Sequence, residues 1–149
     1  MTALKLNGME ILGPAKDGEA GRVPLPLYLA GVQAGFPSPA DDYIDRRLDL
    51  NEHLVRHPAA TFFVRASGDS MRGAGIHDGD LLVVDRAEEA RSGRVVIAAV
   101  NGELTVKRLD RRGERLVLAP ANPDYPELDV TGNESFDIWG VVTHVIHKV

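Results

Sequence analysis

No cysteine occurs among the 149 residues. A disulfide framework, a thiolate nucleophile and a cysteine-ligated zinc are therefore excluded, and a reducing compartment stays open to the chain. Long apolar runs are missing too. Nothing approaches the roughly 20 residues that cross a bilayer as a helix, and the N-terminus has no basic-then-apolar signal pattern. The sequence thus predicts a cytoplasmic protein with no membrane segment. Aromatic residues are scarce at 5%, while glycine (15) and proline (9) are plentiful, a balance that suits short strands joined by many turns. Positive charge is in deficit, with a net charge of −5. Residues 1–34 carry three basic and three acidic residues, so the acidity belongs to the remainder. A domain of that sign does not bind a phosphate backbone by counterion release, and no direct DNA contact is expected. The basic cluster Lys107–Arg115 is interrupted by Asp110 and Glu114 and reads as a solvated strand pair.

The length fits one domain able to bury its own core. Residues 1–34 differ from the rest: Gly8, Gly13, Pro14, Gly18, Gly21, Pro24 and Pro26 break any long helix or strand. They predict an extended arm, loosely packed, too broken for a helix-turn-helix head. Beyond it, Asp41 or Asp42 is placed to cap a short helix carrying Tyr43, Ile44 and Leu48, and a second helical turn over Leu50–Val55 ends before Pro58. His53 and His57 share a helical spacing but lack a visible third ligand, so no metal or cofactor is expected. From Thr61 onward strands dominate: Thr61–Ala66, Leu81–Asp85, Arg94–Val100, Leu104–Leu109, Arg115–Leu118 and Phe136–Ile146. Asn101-Gly102 between two of them signals a tight hairpin. The fold class is mainly β, a bent antiparallel core over 35–149 with short helices.

Ala66–Gly79, reading ASGDSMRGAGIHDG, lies between two of these strands and sets Ser70 on a glycine-rich turn. A serine so held presents its hydroxyl beside backbone N–H groups able to receive an oxyanion. On this segment alone, a surface loop whose serine caps a turn accounts for the residues better. No convincing Ser-His-Asp set accompanies Ser70, which leaves a lysine as the available base. Such a lysine must be desolvated, because in water only about 0.04% of it is neutral at pH 7. Lys107 is the best placed: strand alternation sets it with Thr105 and Leu109 on one face, Leu104 and Val106 on the other. The alternative is an ordinary strand lysine snorkelling to water.

The stretches QAGFPSPADDYIDRRLDLNEHLVRHPAATFFVRASGDSM, GIHDGDLLVVDR, VVIAAVNGELTVKRL and FDIWGVVTHVI resemble the LexA/UmuD family of self-cleaving serine peptidases from about Gln33 to the end. The segment from GFPSPA to DLN favours the UmuD branch. The resemblance implies Ser70 as nucleophile, in SGDSM, and Lys107 as general base, in GELTVKRL. It implies a cut in the chain's own arm at Ala34-Gly35, a small residue followed by glycine. It further implies a LexA-like core over 35–149 that forms a homodimer. A RecA filament on single-stranded DNA would stimulate cleavage, and a UmuC-type translesion polymerase would be the partner of the shortened chain. Two other readings stand beside this one: a truncated LexA-type or phage-type repressor, and a non-catalytic β-rich interaction module.

Overall fold

The computed structural model describes residues 4–6, 9–14, 21–28, 34–35 and 44–149. They belong to two compact units, 18–56 and a larger one formed by 1–17 with 57–149.

In the smaller unit, β3 (Leu25–Tyr28) pairs antiparallel with β4 (Ile44–Leu48). Ile44–Leu48 is therefore a strand, where the sequence suggested a helix. Its apolar residues fit either period over so short a run, and pairing with β3 decides for the strand. The proposed caps Asp41 and Asp42 and the residue Tyr43 lie outside the described residues. The cap that is described belongs to Asp49, which accepts from the N–H groups of Glu52 (3.2 Å) and Val23 (2.6 Å) and starts α1 (Leu50–Leu54). That single helical turn stands where the sequence placed it.

The larger unit is built on one antiparallel sheet. Its other strands are β1 (Leu4–Leu6), β2 (Met9–Pro14), β5 (Thr61–Arg65), β6 (Leu81–Asp85), β7 (Val95–Val100), β8 (Glu103–Arg112), β9 (Arg115–Ala119), β10 (Leu128–Asp129) and β11 (Phe136–Ile146). The order is β1-β2-β5-β6-β11-β7-β8-β9-β10. Residues read from sequence as part of a loose arm thus contribute a hairpin, with β2 hydrogen-bonded to β5. β11 is paired on both edges, to β6 and β7, so it has no open edge with which to join a partner's sheet. Its ladder slips by one residue at Trp139 and again at Thr143, two bulges that bend the strand.

Alternation along the strands separates two apolar clusters. Phe62, Val64, Leu82, Val84, Ile97, Leu104 and Val106 form one; Val96, Ala98, Val100, Leu109, Leu118 and Val141 form the other. β7 sends alternate residues to both, which is why VVIAAV is apolar without interruption. The Asn101-Gly102 turn has positive φ at both positions (51° and 82°), the geometry that reverses β7 into β8 in register. Within the basic cluster on β8 and β9, Arg112 is paired to Asp110 and Glu127 and Arg115 to Asp129. Among the described residues, no helix is long and apolar enough to cross a membrane.

Candidate active site

The loop from Ala66 to Asp80 leaves β5 and returns as β6, its neighbour in the sheet. Reciprocal backbone bonds close its base: Ala66 N–H donates to Asp80 O and Gly79 N–H to Ala66 O, both at 2.8 Å. Within the loop, Met71 and Ile76 are buried in the first apolar cluster and pull the chain inward. A 3-10 turn over Arg72–Ala74 follows, ended by Gly75 at φ +79°. Gly68, at φ +86°, donates its N–H to the Asp78 carboxylate across the loop (2.8 Å). These constraints leave Ser70 half-buried at the turn.

A second segment fixes the loop from the side. Ala121 N–H donates to Ser70 O (2.8 Å) and Gly73 N–H to Ala121 O (2.7 Å). The Asn122 amide donates to Asp69 O (3.0 Å), and the Tyr125 hydroxyl to Asp69 Oδ1 (2.5 Å). Ser70 is thereby held by its own carbonyl, and Asp69 before it by both its carbonyl and its carboxylate. Among the described residues, the backbone N–H groups of Asp69, Ser70 and Met71 make no hydrogen bond.

Lys107 lies on β8, opposite Val96 of β7. Its Nζ is 3.1 Å from Ser70 Oγ, 2.9 Å from Thr105 Oγ1 and 3.1 Å from Val106 O. Burial lowers the Lys107 pKa from the ordinary lysine value, because the charged form is the one that loses hydration. A neutral amine has two N–H bonds and one lone pair. With Thr105 Oγ1 and Val106 O accepting the two protons, the lone pair faces the Ser70 hydroxyl. Thr105 is the residue whose part sequence reading missed. The same-face spacing of Thr105 and Lys107 was visible, but nothing in it assigned the threonine a task. A groove of about 460 Å³ opens beside the amine, lined by Val100, Asn101, Glu103, Leu104, Thr105, Lys107 and Leu128.

The structure therefore brings Ser70 and Lys107 together, as the sequence anticipated. Ala34 and Gly35 form an exposed bend in the smaller unit. Histidine–carboxylate pairs also appear that the sequence did not disclose: His57 Nδ1 lies 2.6 Å from Asp85 Oδ2, and His147 Nδ1 lies 2.5 Å from Asp80 Oδ1. They depend on contacts between distant parts of the chain.

A serine beside a desolvated lysine on a bent antiparallel sheet defines a class, the β-rich serine hydrolases that use an amine in place of imidazole. The comparisons make it specific. Residues 26–143 match the Peptidase S24-like family, and the chain belongs to it. It is 52% identical to protein SamA of Salmonella typhimurium, over 90% of this chain and 93% of that one. It is 55% identical to protein ImpA of Escherichia coli, over 83% of each chain, and 52% identical to protein MucA of Escherichia coli, over 80% of this chain and 82% of the relative. These are UmuD-like proteins of SOS mutagenesis, and the chain is a self-cleaving serine peptidase of that group. Membership carries with it assembly as a homodimer.

Proposed function

We propose that Ser70 and Lys107 are the catalytic pair and that they cut the bond between Ala34 and Gly35 of the chain's own arm. The observation that carries this reading is the 3.1 Å approach of the Lys107 amine to the Ser70 hydroxyl, with the amine desolvated. Neutral Lys107 takes the Ser70 proton as Oγ attacks the Ala34 carbonyl carbon. The oxyanion is received by unpaired backbone N–H groups beside Ser70. When the intermediate collapses, the C–N bond breaks and Lys107 passes its proton to the departing Gly35 amine. Water then attacks the ester; Lys107 takes one of its protons and returns it to Ser70. The products are residues 1–34 ending in a carboxylate and 35–149 beginning with a free amine. The groove beside Lys107 accepts the extended peptide, and alanine before the bond presents no bulk to the pair.

In this reading residues 1–34 are the removable arm and 35–149 the lasting dimeric core. Cleavage is stimulated by a RecA filament on single-stranded DNA, and the shortened dimer serves a UmuC-type polymerase in translesion synthesis in the cytoplasm. The test is incubation of purified full-length chain at mildly alkaline pH, alone and with RecA filaments, followed by mass spectrometry. A product beginning at Gly35, accelerated by the filament and lost in Ser70→Ala and Lys107→Ala, is the expected result. Processing that persists in Ser70→Ala, or at another bond, refutes it.

A further inference from the structure

We propose that His77, Asp80 and His147 form a binding site for one transition-metal dication of the zinc, nickel or copper class. The three residues are brought together by the larger unit alone: His77 and Asp80 end the loop that carries Ser70, and His147 follows β11. One ligand atom from each lies within 4.8 Å of the others. Asp80 Oδ1 is 2.5 Å from His147 Nδ1, and Asp80 Oδ2 is 3.6 Å from His77 Nδ1. The two imidazole rings have centroids 4.9 Å apart and are tilted by 42°, so both edges reach the same carboxylate.

The frame and the ligands differ in the way a metal site requires. Asp80 is only 3% exposed, and its backbone is bonded at both ends, N–H to His77 O and O to Ala66 N–H. Its Oδ2 also accepts the His77 N–H (2.7 Å), which fixes the plane of the carboxylate. The two imidazoles are about half exposed, 47% and 48%, and free to turn toward an ion. Zinc bonds of about 2.0–2.1 Å place tetrahedral ligand atoms about 3.3 Å apart. The present separations, 2.5 Å and 3.6 Å, bracket that value, and the two exposed rings are the parts that would turn to meet an ion, with the fourth position left to water. Two imidazoles and one carboxylate select a borderline dication over calcium or magnesium, which take oxygen ligands. The second such group, His57, Asp85 and Glu88, offers one imidazole where the first offers two. It serves as the internal control.

A bound ion would tie the chain end after β11 to the base of the Ser70 loop, 67 residues away in sequence. The experiment uses full-length chain carrying Ser70→Ala, its intact mass checked before each titration, so that metal binding is read separately from the peptidase reading. Zinc alone is titrated by calorimetry, with thermal unfolding and the visible bands of bound cobalt as second readouts. We expect one ion per chain, a higher unfolding midpoint, and cobalt bands typical of nitrogen and oxygen ligands. His77→Ala and His147→Ala should each weaken binding by at least about tenfold, and the double variant should abolish it; His57→Ala should leave it unchanged. Both rings are half exposed, so these variants keep the fold, which the unfolding curves check directly. Binding undiminished in the double variant, binding lost in His57→Ala, or none by the parent chain at about a hundredfold excess of zinc overturns the site.

Discussion

Gly73→Ala offers a sharp probe of how Ser70 is held. A Cβ built at Gly73 would stand 2.6 Å from Ala121 O and 3.3 Å from its carbonyl carbon, both backbone atoms. A carbon rests against a carbonyl oxygen at about 3.3 Å or more, so the loop and Ala121 have to part by about 0.7 Å. That displacement stretches two bonds at once, Gly73 N–H to Ala121 O (2.7 Å) and Ala121 N–H to Ser70 O (2.8 Å). At about 0.5–1.5 kcal/mol each, their loss costs about 1–3 kcal/mol of stability. The functional cost is larger in proportion, because a reacting atom moved by about 1 Å loses on the order of 100-fold in rate. Self-cleavage of Gly73→Ala should therefore fall by about 10- to 100-fold at a temperature where the chain is fully folded, read as the appearance of the chain beginning at Gly35. Gly132→Ala is the control: Gly132 has φ +67° and open space around its Cβ position, so alanine there strains the backbone without touching the loop. If Gly73→Ala cleaves at the parent rate, or Gly132→Ala slows as much at equal loss of stability, the bracing of Ser70 by Ala121 is refuted.

Four further outcomes follow from the same geometry. Burial lowers the Lys107 pKa, and the proposed mechanism runs through its neutral amine, so cleavage should rise with pH and level off below the ordinary lysine pKa; a flat profile contradicts this. Thr105→Val removes a hydrogen bond that favours the charged amine, and should move the midpoint of that profile to lower pH. Lys107→Met should abolish cleavage yet raise the unfolding midpoint. Its advantage should be greatest below the folded-state lysine pKa and shrink as pH rises toward the unfolded value, since a lysine depressed in the fold binds fewer protons there than in the unfolded chain. Asp85→Ala should cost about 2–4 kcal/mol by denaturant unfolding, because Asp85 is 2% exposed and accepts from both His57 and Ala87 N–H.

Where periodicity and turn chemistry act within a few residues, the sequence was a full guide. Asn101-Gly102 set the β7–β8 hairpin, and with it which face of β8 carries Lys107. Phe136–Ile146 was legible over its whole length, but its two bulges were not, since each slip moves the following side chains to the other face and depends on the neighbouring strands. Ile44–Leu48 was misread because five residues satisfy both periods, and β10, two residues long, left no pattern to find. Leu4–Leu6 and Met9–Pro14 were misjudged for a different reason: strand pairing, from β2 to β5, overrides the poor propensity of a glycine-broken segment.

The chain by itself determined the serine, the lysine, the strand face that bears the lysine and the family motifs around both, because these depend on local order. Three-dimensional packing alone decided that the amine lies 3.1 Å from the hydroxyl, that Thr105 and Val106 take its protons, and that Ala121 and Tyr125 brace the loop. It alone gathered His77, Asp80 and His147 around one carboxylate. Each of these joins residues through sheet register or loop contact, and desolvation is a property of everything packed around a group. No spacing in a linear chain encodes how much water an amine retains.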